Sequence, residues 1–156
     1  MRPAARLMLD DLPLGAPIAC GSFRLSRDEI VAFAEKFDPQ PFHLDEAAAR
    51  ASYFRGLCAS GLHSQAAAIG LMVRAIADVA VIAGGSLDQA TFFAPVRPDT
   101  TYTVTARWTA SRASARDAGR GVASIAGEAR LPDGGLAMRF GVTYIVARRP
   151  PPEGPP

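Results

Sequence analysis

Residues 37–50 read FDPQPFHLDEAAAR, and they place a carboxylate, Asp38, five residues before an imidazole, His43. A neutral imidazole takes up a proton near neutral pH, and a carboxyl group beside it can orient a water or relay a proton. Such a pair works only when aligned, since a misplacement of about 1 Å can cost on the order of 100-fold in rate. Pro39 and Pro41 meet that need. Each fixes its own φ and restricts the residue before it, Asp38 and Gln40 respectively. Phe42 can pack inward as an anchor. The residues alone leave a second reading open, because Asp-Pro is a common helix stop and a single histidine is commonly structural. If the two do act, they act as a coupled pair.

The elements around this stretch follow from pattern. SRDEIVAFAEKF opens with Ser26 and Glu29 in capping-box spacing, and Ile30, Phe33, Ala34 and Phe37 fall on one helical face. Pro39 ends that helix. Asp45 can cap a short helix running to about Ser52. YFRGLCASG reads as loop, punctuated by Gly56 and Gly61. A long helix is expected over roughly Leu62 to Val79, apolar around most of its circumference and therefore buried on several sides. The first strand is expected within APIACGSFRLS. DQATFFAPV, TTYTVTARWTAS, GVASIAGEARL and LAMRFGVTYIVARR follow with β-branched and aromatic alternation. Pro132 to Gly135 is a turn between the last two strands, and Arg112 to Gly121 a longer hairpin loop. One strand, then helices, then four strands make an α+β domain: an antiparallel sheet packed on one long helix.

Composition bounds the function. The chain has 156 residues, 49% of them hydrophobic, and a net charge of +2. This is one domain, residues 1–149, with a core of its own. The Pro-rich tail at 150–156 is expected to be disordered, and residues 1–9 loose. The near balance of charge argues against nucleic acid or an anionic membrane as partner. Residues 66–85 are the most apolar run, but Arg74 and Asp78 interrupt it, which favours a buried helix over a membrane span. Cys20 and Cys58 form no CxxC and are expected to be reduced, in a cytoplasmic setting. The start of the chain lacks the apolar run of a signal peptide. With two histidines and no acidic cluster beside them, no metal site is expected.

FAEKFDPQPFHLDEAAARASYFRGLCASG closely resembles the MaoC-like dehydratases, which include the R-specific enoyl-CoA hydratases. LDDLPLGAPIACGSFRLSRDEIVAFA and FFAPVRPDTTYTVTARW extend the likeness to roughly residues 8–147. The resemblance implies the hot-dog fold, a curled antiparallel sheet wrapped around a long central α-helix. It implies reversible addition of water across the 2,3 double bond of an acyl thioester carried on CoA or acyl carrier protein, with no cofactor beyond the substrate's own CoA. Asp38 and His43 then hold and activate the water, and the Gly61 amide, opening the central helix, serves as oxyanion hole. Gln40, Phe42, Ser60 and His63 are candidates to line the pocket, and Ser60 can also cap the helix. Arg97 is a candidate for a CoA phosphate, or else a surface arginine at a turn. Phe92, Phe93, Tyr102 and Trp108 are expected to pack the sheet on the helix, with one or two lining an acyl tunnel.

Two departures stand out. Gln40 occupies a position where the R-specific hydratases typically carry asparagine, and Ile69 one where they tend to carry a pocket serine. An acyl-CoA thioesterase on the same fold, and a non-catalytic acyl-CoA-binding subunit, are the alternatives. A homodimer is implied by the family habit of pairing sheets edge to edge, and by the open edge such a sheet leaves.

Overall fold

The computed structural model describes residues 6–149. Four helices and six strands follow in chain order: β1 (Ile18–Arg24), α1 (Arg27–Phe37), α2 (Pro41–Leu44), α3 (Glu46–Ala51), α4 (Gly61–Ala75), β2 (Val81–Leu87), β3 (Thr91–Phe92), β4 (Thr101–Ala113), β5 (Arg120–Arg130) and β6 (Leu136–Ala147). The strands form one antiparallel sheet in the order β1-β4-β5-β6-β2, with β3 continuing along β6 beyond the end of β2. It curls around α4 as a hot-dog fold.

Alternation explains the packing. Along β4, Tyr102, Val104, Ala106 and Trp108 are buried while the residues between them are exposed. Ala123, Ile125 and Ala129 of β5 and Phe140, Val142, Tyr144 and Val146 of β6 extend the same face. Most of these residues form one cluster with Ala68 and Met72 of α4. Trp108 and Tyr102 thus pack the core as expected. The Tyr102 hydroxyl is satisfied there, accepting from the Arg97 amide at 2.9 Å and donating to the Pro95 carbonyl at 3.3 Å.

Four expectations need correction. The central helix stops at Ala75 with Ile76 as its C-cap, not at Val79. Val81–Leu87 is a strand that the pattern did not separate from the helix. It pairs with β6 from Val81↔Val146 to Leu87↔Val142, and the free edge of β6 decides the conformation of an apolar run that either period would accept. The strand expected across DQATFFAPV shrinks to Thr91–Phe92. Residues 6–9 are not loose: Leu7 exchanges backbone hydrogen bonds with Asp78 and Ala80, and Leu9 is buried. The expected disorder at 1–5 and 150–156 lies outside the described residues.

Candidate active site

The short helices between α1 and α4 carry the chemistry. At the start of α1, the Ser26 hydroxyl accepts from the Glu29 amide at 3.2 Å, and the Glu29 carboxylate accepts from the Ser26 amide at 2.7 Å. At its end, Asp38 leaves the helical region with φ −157° and ψ 69°. Pro39, lacking an N–H, cannot continue the ladder. Gln40 is extended, as a residue before proline must be, and Pro41 opens α2 at the first helical position, where its fixed φ fits. The second proline therefore starts a helical turn rather than stiffening an open loop. That turn holds His43, which is only 5% exposed.

Four contacts fix the pair. The His43 Nδ1–H donates to the Cys58 carbonyl at 2.7 Å. In a neutral ring this leaves the Nε2 lone pair directed at Asp38 Oδ2, 3.5 Å away. The Ser60 hydroxyl donates to the same Oδ2 at 2.6 Å, and the Gln40 amide donates to Oδ1 at 2.8 Å. These donors hold the Asp38 carboxyl below its ordinary pKa. The Ser60 bond contributes most and the Gln40 bond next, against a smaller opposing effect of burial, while the nearby His43 adds a further lowering. An ionised carboxylate thus faces an imidazole nitrogen that is also an acceptor. A donor that reaches both acceptors from the cleft side, such as water, is what this pair suits.

Ser60 joins this pair to the central helix. It is fully buried, and its hydroxyl also accepts from the Leu62 amide at 3.2 Å as the N-cap of α4. Gly61, the first residue of the helix, lines the same cleft as Asp38 and His43, a cavity of about 560 Å³. With the Leu62 amide bound to Ser60 Oγ and the Ser64 amide to the Ser60 carbonyl, the Gly61 amide has no acceptor among the described residues. A Cβ on Gly61 would lie 2.7 Å from Phe92 Cζ, so the ring would have to move to admit one.

The remaining candidates divide. Gln40 and Phe42 line the cleft, and the Phe42 ring stands edge-on to His43 with centroids 4.6 Å apart. Phe92 and Phe93 are about half exposed and line the cleft instead of packing the sheet on the helix. His63 lies outside the cleft-lining set. Its ring stacks on Phe33 at 4.4 Å, its Nδ1 is buried without a partner, and burial pulls its pKa below the ordinary value, with the Glu29 charge pulling weakly the other way. Arg97 borders the cleft but is neither a free phosphate ligand nor a simple surface residue. Its guanidinium donates to the carbonyls of Gly56 at 2.6 Å, Leu57 at 3.2 Å and Phe54, clamping the 54–57 loop. Ile69 packs against the core cluster. A hydroxyl missed by the sequence reading, that of Ser64, stands on the cleft wall and donates to the Ser60 carbonyl at 3.0 Å. Its spacing, one helical turn after the Ser60 cap, was the available signal.

Comparison with known proteins bears on the family and the fold. Residues 13–125 match a family model described as MaoC like domain. A crystal structure described as a MaoC-like dehydratase from Rhodospirillum rubrum is 34% identical, with a TM-score of 0.83 over 93% of this chain and 99% of that one. The uncharacterized protein YdeM of Bacillus subtilis (strain 168) is 35% identical over 94 residues, 60% of this chain and 67% of the relative. An (R)-hydratase from A. caviae involved in PHA biosynthesis shares the fold at 24% identity, with a TM-score of 0.67 over 85% of this chain and 96% of that one.

Proposed function

The chain belongs to the MaoC-like domain family, and from that premise we propose that its cleft adds water to, and removes it from, the 2,3 double bond of an acyl thioester. The observation that carries the proposal is the fixed tautomer of His43. With Nδ1–H bound to the Cys58 carbonyl, the ring offers Nε2 as its base, 3.5 Å from an ionised Asp38 and in one cleft with the Gly61 amide.

In the hydration direction, Nε2 takes a proton from a water that Asp38 Oδ2 orients, while the water oxygen bonds to C3. The displaced π electrons move through C2 onto the thioester oxygen. That oxygen is met by the Gly61 N–H and the positive end of α4. The proton returns to C2, directly from the imidazolium or relayed through Asp38, and the sum is one water added. Ser60 and Gln40 keep Asp38 ionised and still. Dehydration runs the same steps in reverse.

A second copy of the chain belongs to the proposal. Among the described residues β2 pairs only with β6, leaving its outer edge open, and Ile82 and Leu87 on that strand are exposed. No helix among the described residues is long and apolar enough to cross a membrane, and Cys20 and Cys58 are both buried and unpaired. The test is incubation with crotonyl-CoA, following loss of the conjugated absorbance and release of free thiol together. Hydration without thiol is expected. Thiol release would replace the proposal with a thioesterase, and tight binding without either reaction with a binding subunit.

A further inference from the structure

Gly61 has one close neighbour across the cleft. Leaving aside its own helix and its neighbours in the chain, the three atoms nearest to a Cβ placed on Gly61 all belong to the Phe92 ring: Cζ at 2.7 Å, Cε2 at 3.0 Å and Cε1 at 3.3 Å. These atoms are the far edge of the ring. That edge therefore rests against the Cα of the residue whose amide is free to meet a thioester oxygen.

β3 and β6 hold this wall from behind. Phe92 pairs with Met138, and the amides of Phe93 and Ala94 both donate to the Ala137 carbonyl, at 2.8 and 3.3 Å. The Phe93 ring lies under the Arg139 guanidinium, 5.6 Å from ring centroid to Cζ. Glu128 fixes that guanidinium, accepting from Arg139 Nε at 3.0 Å, and also accepts from Arg130 at 2.7 Å. The backbone on either side of Phe92 is thus tied to β6. The Phe92 ring is about half exposed, so it yields by rotating its side chain rather than by shifting the strand.

A thioester carbonyl carbon carries two substituents, sulfur and C2. With its oxygen on the Gly61 N–H, both lie beside the Phe92 ring. Sulfur is common to every thioester, whereas C2 is a position at which acyl groups differ. We infer that Phe92 is a specificity-determining residue, and that this cleft selects acyl thioesters unbranched at C2. The inference rests on the hydratase reading above and narrows its substrate class. A 2-methyl group is the smallest such branch, and one carbon more or less against an apolar wall changes kcat/KM by about 10- to 200-fold.

Crotonyl-CoA and 2-methylcrotonyl-CoA are compared on wild type, Phe92→Leu, Phe92→Ala and Phe93→Ala. The methyl group alters the intrinsic reactivity of the double bond equally in every variant, so the readout is the ratio of kcat/KM for the two thioesters. Relative to wild type, the preference for crotonyl-CoA should fall by about 10- to 200-fold in Phe92→Ala and by less in Phe92→Leu. Phe93→Ala should leave the ratio where it is. Butanoyl-CoA and 2-methylbutanoyl-CoA have no double bond to hydrate, and calorimetry should show wild type binding the unbranched thioester more tightly and Phe92→Ala closing the gap. An unchanged ratio in Phe92→Ala, an equal shift in Phe93→Ala, or equal binding of the two saturated thioesters by wild type would overturn the inference. If wild type hydrates neither enoyl thioester, the hydratase reading itself fails, while the calorimetry still judges the wall.

Discussion

Replacing Ser60 separates two functions that its one hydroxyl performs. The Oγ donates to Asp38 Oδ2 at 2.6 Å and caps α4 by accepting from the Leu62 amide at 3.2 Å. A hydrogen bond to a charged group is worth about 1.5–3 kcal/mol, and the cap about 1 kcal/mol. Because one oxygen makes both, the effects overlap, and Ser60→Ala is expected to cost about 2–3 kcal/mol in all. For a chain of this size that lowers Tm by roughly 5–10 °C. Glycine is nearly as good a cap as serine, so Ser60→Gly keeps the helix start while still losing the bond to Asp38. Both variants should lose kcat/KM for crotonyl-CoA by about 10- to 100-fold through misalignment of the Asp38 carboxylate.

The pH dependence follows from the same bond. Asp38 is held below its ordinary value of 3.8, chiefly by Ser60. A depressed carboxylate contributes stability that is present above the unfolded value and lost as pH falls through the folded one. The stability gap between wild type and Ser60→Gly should therefore be full at neutral pH and shrink below about pH 3.8. In both variants the pKa of Asp38 rises, and the acid limb of the rate profile moves to higher pH. Urea unfolding at graded pH and kcat/KM profiles read these effects. A pH-independent gap, or a Ser60→Gly enzyme with wild-type kinetics, would refute the argument that Ser60 holds the Asp38 carboxylate in place.

Three further outcomes are expected. Gly61→Ala would place its Cβ 2.7 Å from Phe92 Cζ; the half-exposed ring can swing aside, so Tm should change little while crotonyl-CoA turnover falls, and Phe92→Ala in the same chain should restore part of it. Arg97→Gln leaves three loop carbonyls without their donor and should cost about 2–4 kcal/mol in urea unfolding, with Arg97→Lys failing to rescue because a point charge cannot span the three acceptors. His63 is stacked and partly buried, with its pKa pulled below the ordinary 6.5; the unfolded chain then binds the proton more readily, so wild-type stability declines as pH falls below about 6.5, and His63→Phe should remove that part of the decline in thermal melts from pH 5 to 8.

Much of this architecture was legible in advance because its signals are local. The capping box at Ser26 and Glu29, the stop at Pro39, the cap at Asp45 and the alternation along β4 to β6 each depend on residues a few positions apart. The end of α4 was not legible, since VAVIAGG suits a helix or a strand and only the open edge of β6 selects the strand. At the site, Asp38 and His43 were visible as residue types in a braced stretch, and Gly61 through the family resemblance. Their supports were not. The Cys58 carbonyl that fixes the His43 tautomer is backbone, and every residue has one. The Ser60–Asp38 bond spans 22 positions. Arg97 is an arginine at a proline turn until the carbonyls of residues 54, 56 and 57 are seen to converge on it.

A double-mutant cycle on crotonyl-CoA hydration bears most directly on the claim that Asp38 and His43 handle one water as a unit. Asp38→Asn and His43→Gln should each lower kcat/KM by about 10²–10⁴-fold with the fold retained by circular dichroism, and the double variant should be no slower than the worse single. Near wild-type hydration by either single variant, or losses that multiply in the double, would contradict it.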